Sequence, residues 1–266
     1  MTSTTLRLSD GRAAAILEEG QGDVLLLIHG VGLQKAAWAA QIAALSPRMR
    51  VVAVDMPGHG GSDPLPEGSL LPDFVAWAAR VIEALDCGPV SLAGHSMGAL
   101  IAAGTAIERP DLVTRLAVLN GVFRRSEAAR AAVIARADEM AQGEKDIDGP
   151  IARWFDASPA DQAHAALARG WLTQVDPAAY ATVYGAFARG DATYADRWAQ
   201  LSCPVLVLTA DGDPNSTPAM ARAMAEAAPR AELKIIEGHR HMVPMTAPDE
   251  VSAAILCWHG LDLVTR

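Results

Sequence analysis

Short apolar runs alternate with stretches of helical spacing along most of this chain. Val24-Leu25-Leu26-Leu27-Ile28, Val51-Val52-Ala53-Val54 and Val205-Leu206-Val207-Leu208-Thr209 are apolar runs, and Val113 to Leu119 reads as a further strand. Central strands read this way when both faces of their sheet are covered. Trp38 to Leu45, Asp73 to Leu85, Pro218 to about Ala228 and Pro248 to about Trp258 read as helices. In the second of these, Phe74, Trp77, Val81, Ile82 and Leu85 recur at helical spacing. Two β-like segments come first, around Thr4 to Leu8 and Ala13 to Glu18, joined by an Asp10-Gly11 turn. Glu232 to Ile236 adds a late strand. Strands alternating with helices predict an α/β chain with a mostly parallel central sheet flanked by helices.

From about Val122 to Trp198 the alternation stops, and Ala-rich helical pieces are broken by Gly149-Pro150, Ser158-Pro159 and Asp176-Pro177. The last two pairs read as helix starts, a capping side chain followed by proline at the first helical position. The pattern predicts a core over residues 1–121 and 199–266, with a helical lid over 122–198 inserted after the Val113 strand.

One stretch organises the rest. The apolar run Val90 to Ala93 ends abruptly in Gly94-His95-Ser96-Met97-Gly98, and an Ala-rich helical pattern begins at once. Strand, tight turn and helix with serine at the apex is the nucleophile elbow, whose glycines leave room for strand and helix to pack closely. The turn exposes the Ser96 hydroxyl, and the helix aims its first N–H groups, led by Met97, at whatever serine attacks. The other polar motifs also fall at strand carboxyl ends, where open parallel sheets bind ligands: His29-Gly30, Asp55, Asp211 to Asp213, and His241.

A serine nucleophile needs a histidine base and a carboxylate to orient it. On the residues alone, Asp211 competes with Asp213, and His239 with His241. The two histidines alternate on an extended segment and share a face, but no third ligand stands at a recognisable spacing, so no metal site is expected.

The elbow and these motifs resemble the α/β-hydrolase superfamily, from about Leu6 to Leu261. The resemblance implies the chain order Ser, acid, His. Asp213, followed by Thr217-Pro218, fits the family's acid, although Ala210 stands where glycine is common. Gly238 three residues before His241 and Pro244 three after it fit the family's base. His29-Gly30-Val31 is similar to the oxyanion loop, which implies an oxyanion hole from the backbone N–H groups of Val31 and Met97; His29 itself reads as a brace. Asp55 to Asp63 matches the family's D-x-P-G-x-G-x-S loop, a structural feature. Arg153-Trp154-Phe155 and Tyr184 to Asp191 are similar to lid segments of the enol-lactone hydrolase branch, which places Trp154 and Phe155 at the substrate pocket. The resemblance implies a cofactor-free serine hydrolase of small carboxylic esters or lactones, acting through an acyl-enzyme. Three alternatives use the same fold: a carbon–carbon bond hydrolase of ring-cleavage products, a cofactor-free haloperoxidase or perhydrolase, and a slow-turnover small-molecule receptor.

Composition adds exclusions. In 266 residues, 51% are hydrophobic and 20% charged, and the formal net charge is −9. Phosphate binding needs clustered Lys and Arg, so a nucleic-acid partner is not expected. No apolar run approaches the ~18 residues that span a bilayer. The first residues lack a basic start followed by an apolar core, so no membrane partner and a cytoplasmic location are expected. Cys87, Cys203 and Cys257 are far apart and read as buried inert thiols. The sequence leaves oligomeric state open.

Overall fold

The apolar runs form one eight-stranded sheet in the computed structural model, which describes residues 1–143 and 146–261. The strands are β1 (Thr2–Arg7), β2 (Ala13–Glu19), β3 (Val24–Ile28), β4 (Arg50–Val54), β5 (Val90–His95), β6 (Val113–Leu119), β7 (Val205–Ala210) and β8 (Ala231–Ile236). Their spatial order is β1-β2-β4-β3-β5-β6-β7-β8. β2 pairs antiparallel with β1 and β4; every other pairing is parallel. The fold is thus the α/β-hydrolase arrangement, a mostly parallel sheet flanked by helices.

Alternate residues of a strand point to opposite faces, which splits the core into two layers. Leu26, Ile28, Val52, Val54, Leu92, Val118 and Val207 face one side, with α2 (Leu71–Ala84) and α3 (Met97–Glu108). Leu25, Leu27, Val51, Ala53, Ala93, Leu206 and Leu208 face the other, against α1 (Ala39–Leu45) and α10 (Pro248–His259). Helices on both faces leave the ends of the strands as the open places for chemistry.

Between β6 and β7 the chain forms α4 (Glu127–Ala141), α5 (Asp148–Trp154), α6 (Pro159–Gln174) and α7 (Pro177–Gly190), then a 3-10 turn at Ala195–Gln200. Ser158 Oγ accepts the Asp161 N–H at 3.2 Å and Asp176 Oδ1 accepts the Ala179 N–H at 3.0 Å, so both expected caps start α6 and α7. Gly149-Pro150 differs from expectation. It sits in the first turn of α5 rather than between helices, where proline's missing N–H has no partner to lose. The expected Trp38–Leu45 helix is a 3-10 turn, Lys35–Trp38, running into α1.

The remaining helices are α8 (Pro218–Ala227) and α9 (Val243–Thr246), a single turn too short to leave a periodic signal. No helix among the described residues is long and apolar enough to cross a membrane. All three cysteines are free; only Cys203 is buried, Cys87 is half-buried and Cys257 exposed, which corrects the expectation of three buried thiols. Cys257 lies near the end of α10, on the side turned away from the sheet.

Candidate active site

Ser96 is the hinge between β5 and α3, with φ 56° and ψ −114°. An L-residue held in such a sparsely populated region costs about 1–3 kcal/mol, and the surroundings must enforce it. They do. The Ser96 N–H donates to the Leu119 carbonyl at 2.9 Å, and its own carbonyl accepts from the Ala99 and Leu100 N–H groups. A Cβ at Gly94 would strike the Gly98 backbone, and one at Gly98 would strike the Ile28 carbonyl. At Gly30, a Cβ would lie 3.1 Å from Ser96 Cβ and 3.0 Å from His95 Nδ1. Glycine at these three positions is what lets strand, helix and loop meet around the serine.

Asp213 follows β7, and His241 lies between β8 and α9. His241 Nδ1 donates to Asp213 Oδ2 at 2.8 Å. That bond fixes the proton on Nδ1 and leaves Nε2 with a lone pair. The same Oδ2 accepts from Asn120 Nδ2 at 2.8 Å, and Oδ1 accepts the N–H groups of Asn215 at 2.8 Å and Ser216 at 3.1 Å. Burial alone would raise the Asp213 carboxyl; the charge of His241 and the bonds from His241, Asn120 and Asn215 win and lower it to about 2. Asn120 is itself held at positive φ, 48°, at the end of β6, and its carbonyl accepts from Ser216 Oγ at 2.5 Å. Its role as a partner of Asp213 was not read from the sequence. Its one outward sign was an Asn closing an apolar strand, a residue type that tolerates left-handed backbone.

The competing residues take other places. Asp211 Oδ1 accepts the Gly238 N–H at 2.8 Å, an exposed turn brace. His239 Nδ1 pairs with Thr246 Oγ1 at 3.1 Å. The structure therefore brings Ser96, Asp213 and His241 to one end of the sheet, with Asp213 and His241 hydrogen-bonded. Ser96 Oγ and His241 Nε2 are not hydrogen-bonded to each other; such bonds often tighten only with substrate present.

Three more histidines build the floor. His29 Nδ1 donates to the Gly30 carbonyl at 2.8 Å and its Nε2 accepts the Met56 N–H at 2.9 Å. His59 Nε2 accepts the Gly32 N–H at 2.9 Å. Both tie the β3 loop to the Asp55–Asp63 loop, where Asp55 also holds Lys35 Nζ at 2.6 Å. His95 Nε2 donates to the carbonyl of His241 at 2.8 Å, while its buried Nδ1 has no partner.

A cavity of about 600 Å³ opens above these groups. Ser96, His95, His241, Gly30 and Val31 line it from the sheet side; Arg125, Arg136, Arg153, Trp154, Tyr180, Tyr184 and Phe187 line it from the inserted helices. The Trp154 ring lies 6.2 Å from that of His241. Phe155 does not face the cavity. One residue further along, it turns into the hydrophobic core at 3% exposure, which corrects its expected place at the pocket. The Val31 and Met97 N–H groups have no acceptor among the described residues.

A sheet of this topology with a strained serine at its crossover end defines a hydrolase scaffold. The sequence profile of the Alpha/beta hydrolase family matches residues 25–254, and the chain belongs to that family. It is 49% identical, over 97% of its length and 98% of the relative's, to an (E)-2-((N-methylformamido)methylene)succinate hydrolase from Acinetobacter baylyi. It is 26% identical to a 2-(acetamidomethylene)succinate hydrolase from Mesorhizobium japonicum, covering 90% of this chain and 89% of that one. Among solved structures, the enol-lactonase of Burkholderia xenovorans LB400 superposes with a TM-score of 0.85 at 21% identity, covering 97% of this chain and all (100%) of that one. The chain is a hydrolase.

Proposed function

We propose that this hydrolase uses Ser96 as nucleophile, His241 as base and Asp213 as the carboxylate that orients it, to cleave an acyl group from a small unsaturated dicarboxylate. The observation that carries the reading is the meeting of strained Ser96 with the Asp213-bound His241 on one cavity. Ser96 Oγ attacks the acyl carbon while His241 Nε2 takes its proton. The N–H groups of Val31 and Met97 receive the oxyanion, being preorganised donors with nothing else to bond. Collapse expels the leaving group, which takes the proton back from His241. Water, deprotonated by the same nitrogen, then frees Ser96.

The relatives' names support the substrate class. Each describes an N-acyl group on a nitrogen joined through a double bond to a succinate. A nitrogen conjugated in this way to a carboxylate delocalises the electrons it receives, so it leaves more readily than an ordinary amide nitrogen. This skeleton is closer to the ring-cleavage-product alternative than to a simple ester or lactone, since an opened unsaturated ring leaves such a vinylogous chain. In this reading residues 122–198 act as the lid that excludes water from the acyl-enzyme.

Two measurements test it. A fluorophosphonate should label Ser96 and no other serine. In a panel of an N-formyl enamine succinate, an aryl acetate, a lactone and a vinylogous diketone, the enamine should have the highest kcat/KM. Faster cleavage of the ester or lactone would restore the simpler substrate class. Cleavage of the diketone alone would make this a carbon–carbon bond hydrolase, and turnover slower than ligand exchange would make it a receptor.

A further inference from the structure

The cavity is cationic in an acidic protein. Among the described residues three arginines line it and no aspartate or glutamate does, in a chain of formal net charge −9. The three are not equivalent. Arg125 is buried and committed: its backbone N–H donates to Asp191 Oδ2 at 2.7 Å, its guanidinium lies 3.5 Å from Asp191 Oδ1, and it stacks on the Phe187 ring at 4.4 Å. Arg130 takes the remaining capacity of that carboxylate at 2.9 Å. Asp191 is therefore spent on these two.

Arg136 and Arg153 have no such counter-ion. Arg136 donates one bond, to Tyr184 Oη at 3.4 Å, and neither residue forms an ion pair among the described residues. Asp146 and Arg153 both flank Gly149, yet they form no ion pair. Both arginines are half-buried and line a largely apolar cavity together with Val133, Trp154 and Met220. A guanidinium fork matches a carboxylate with two parallel hydrogen bonds and holds it more strongly as water is excluded.

We infer that Arg136 and Arg153 are the carboxylate-binding residues of the cavity, one for each acid group of a dianionic substrate. This assignment rests on the substrate class proposed above and adds the residues that select it. Arg125 shapes the wall and binds no ligand, because its charge is already neutralised. The two arginines come from α4 and α5, so a dicarboxylate would tie those two helices together over Ser96.

The test is direct binding in the Ser96→Ala variant, which removes turnover from the readout. Methylenesuccinate is titrated calorimetrically, with its dimethyl ester as the uncharged control. Arg136→Met and Arg153→Met should each weaken methylenesuccinate roughly 10-fold or more, as expected for loss of a charge-assisted pair. The corresponding lysine variants should fall between, since they keep the charge and lose the fork. Arg48→Met, on the exposed surface away from the cavity, should leave the affinity unchanged. Thermal melts show whether each variant is folded. Equal affinity for the dimethyl ester, no binding at all, or affinity untouched by both methionine variants overturns the assignment. If Ser96 resists fluorophosphonate in the wild type while the arginine variants still lose methylenesuccinate, the nucleophile reading falls and the carboxylate site stands.

Discussion

His95 Nε2 donates to the backbone carbonyl of His241 at 2.8 Å, and the two rings lie 4.9 Å apart. The residue just before Ser96 thus holds the main chain of His241, across 146 positions of sequence. A carbonyl only accepts, so the His95 proton sits on Nε2 and the ring stays neutral. His95→Ala removes that tether and lets the His241 loop drift. A fall of roughly 10-fold in kcat with little change in KM is expected in steady-state kinetics, because small misplacements of a base are felt in the chemical step. An unchanged kcat would show that the His241 loop keeps its place without the tether.

Asp213 and Asp211 stand two positions apart in very different surroundings. Asp213 receives four N–H groups in a buried site, whereas Asp211 braces one exposed N–H. Asp213→Asn should lower kcat on the order of 10⁴-fold, the loss expected when histidine takes the wrong tautomer. Asp211→Asn should cost less than about 10-fold. Equal losses in the two variants would remove Asp213 from its role.

The buried histidines make the fold sensitive to acid. Burial lowers both His29 and His95, and His95 falls from 6.5 to about 3, with the charge of His241 adding to the effect. In the unfolded chain both protonate near their ordinary value, so below it the unfolded state binds more protons. Their stabilisation is complete above about pH 6.5 and drains away as the pH falls toward His95's folded value of about 3, at no more than roughly 1.4 kcal/mol per pH unit for each. Asp213 has the same sign in a lower window: its share holds above 3.8 and is lost as the pH falls through about 2. Urea midpoints measured from about pH 8 to about pH 5 should drop below pH 6.5, and His95→Asn should flatten the slope. A midpoint independent of pH over that range would contradict it.

Trp154 and Phe155 are adjacent in sequence and divided by the fold. Trp154 faces the cavity beside His241, whereas Phe155 is packed in the core. Phe155→Ala should therefore cost about 3–5 kcal/mol in chemical denaturation and leave relative rates among substrates alone. Trp154→Ala should do the reverse, altering relative rates across acyl groups of different size while stability changes little. Loss of stability in both variants would place Trp154 in the core as well.

Most of the sheet was legible because its central strands are buried on both faces, which leaves unbroken apolar runs with sharp ends; Val24–Ile28 falls where the run falls. Ser96 was legible because a strained turn between a strand and a helix needs glycine nearby. What escaped shares one property: it depends on contacts between residues far apart in the chain. Asn120 meets Asp213, and His95 meets His241, only after the strands are aligned. Arg136 and Arg153 look like ordinary surface charges until α4 and α5 fold over the serine. Phe155 was misplaced because an aromatic pair gives no sign of which ring turns inward where a helix ends.

The contrast between the acidic exterior and the arginine-lined cavity bears on how fast a ligand arrives. A dianion approaching from solution first meets the repulsion of the chain's net negative charge, spread over the whole surface. It meets the attraction of Arg136 and Arg153 only at the cavity wall. Salt shortens the reach of both, but the long-range part goes first, since the screening length is about 10 Å at 0.1 M. Moderate salt therefore removes the barrier before it weakens the capture, and encounter rates for a dicarboxylate rise with ionic strength. An enzyme steered by opposite charge over its whole surface slows under the same conditions.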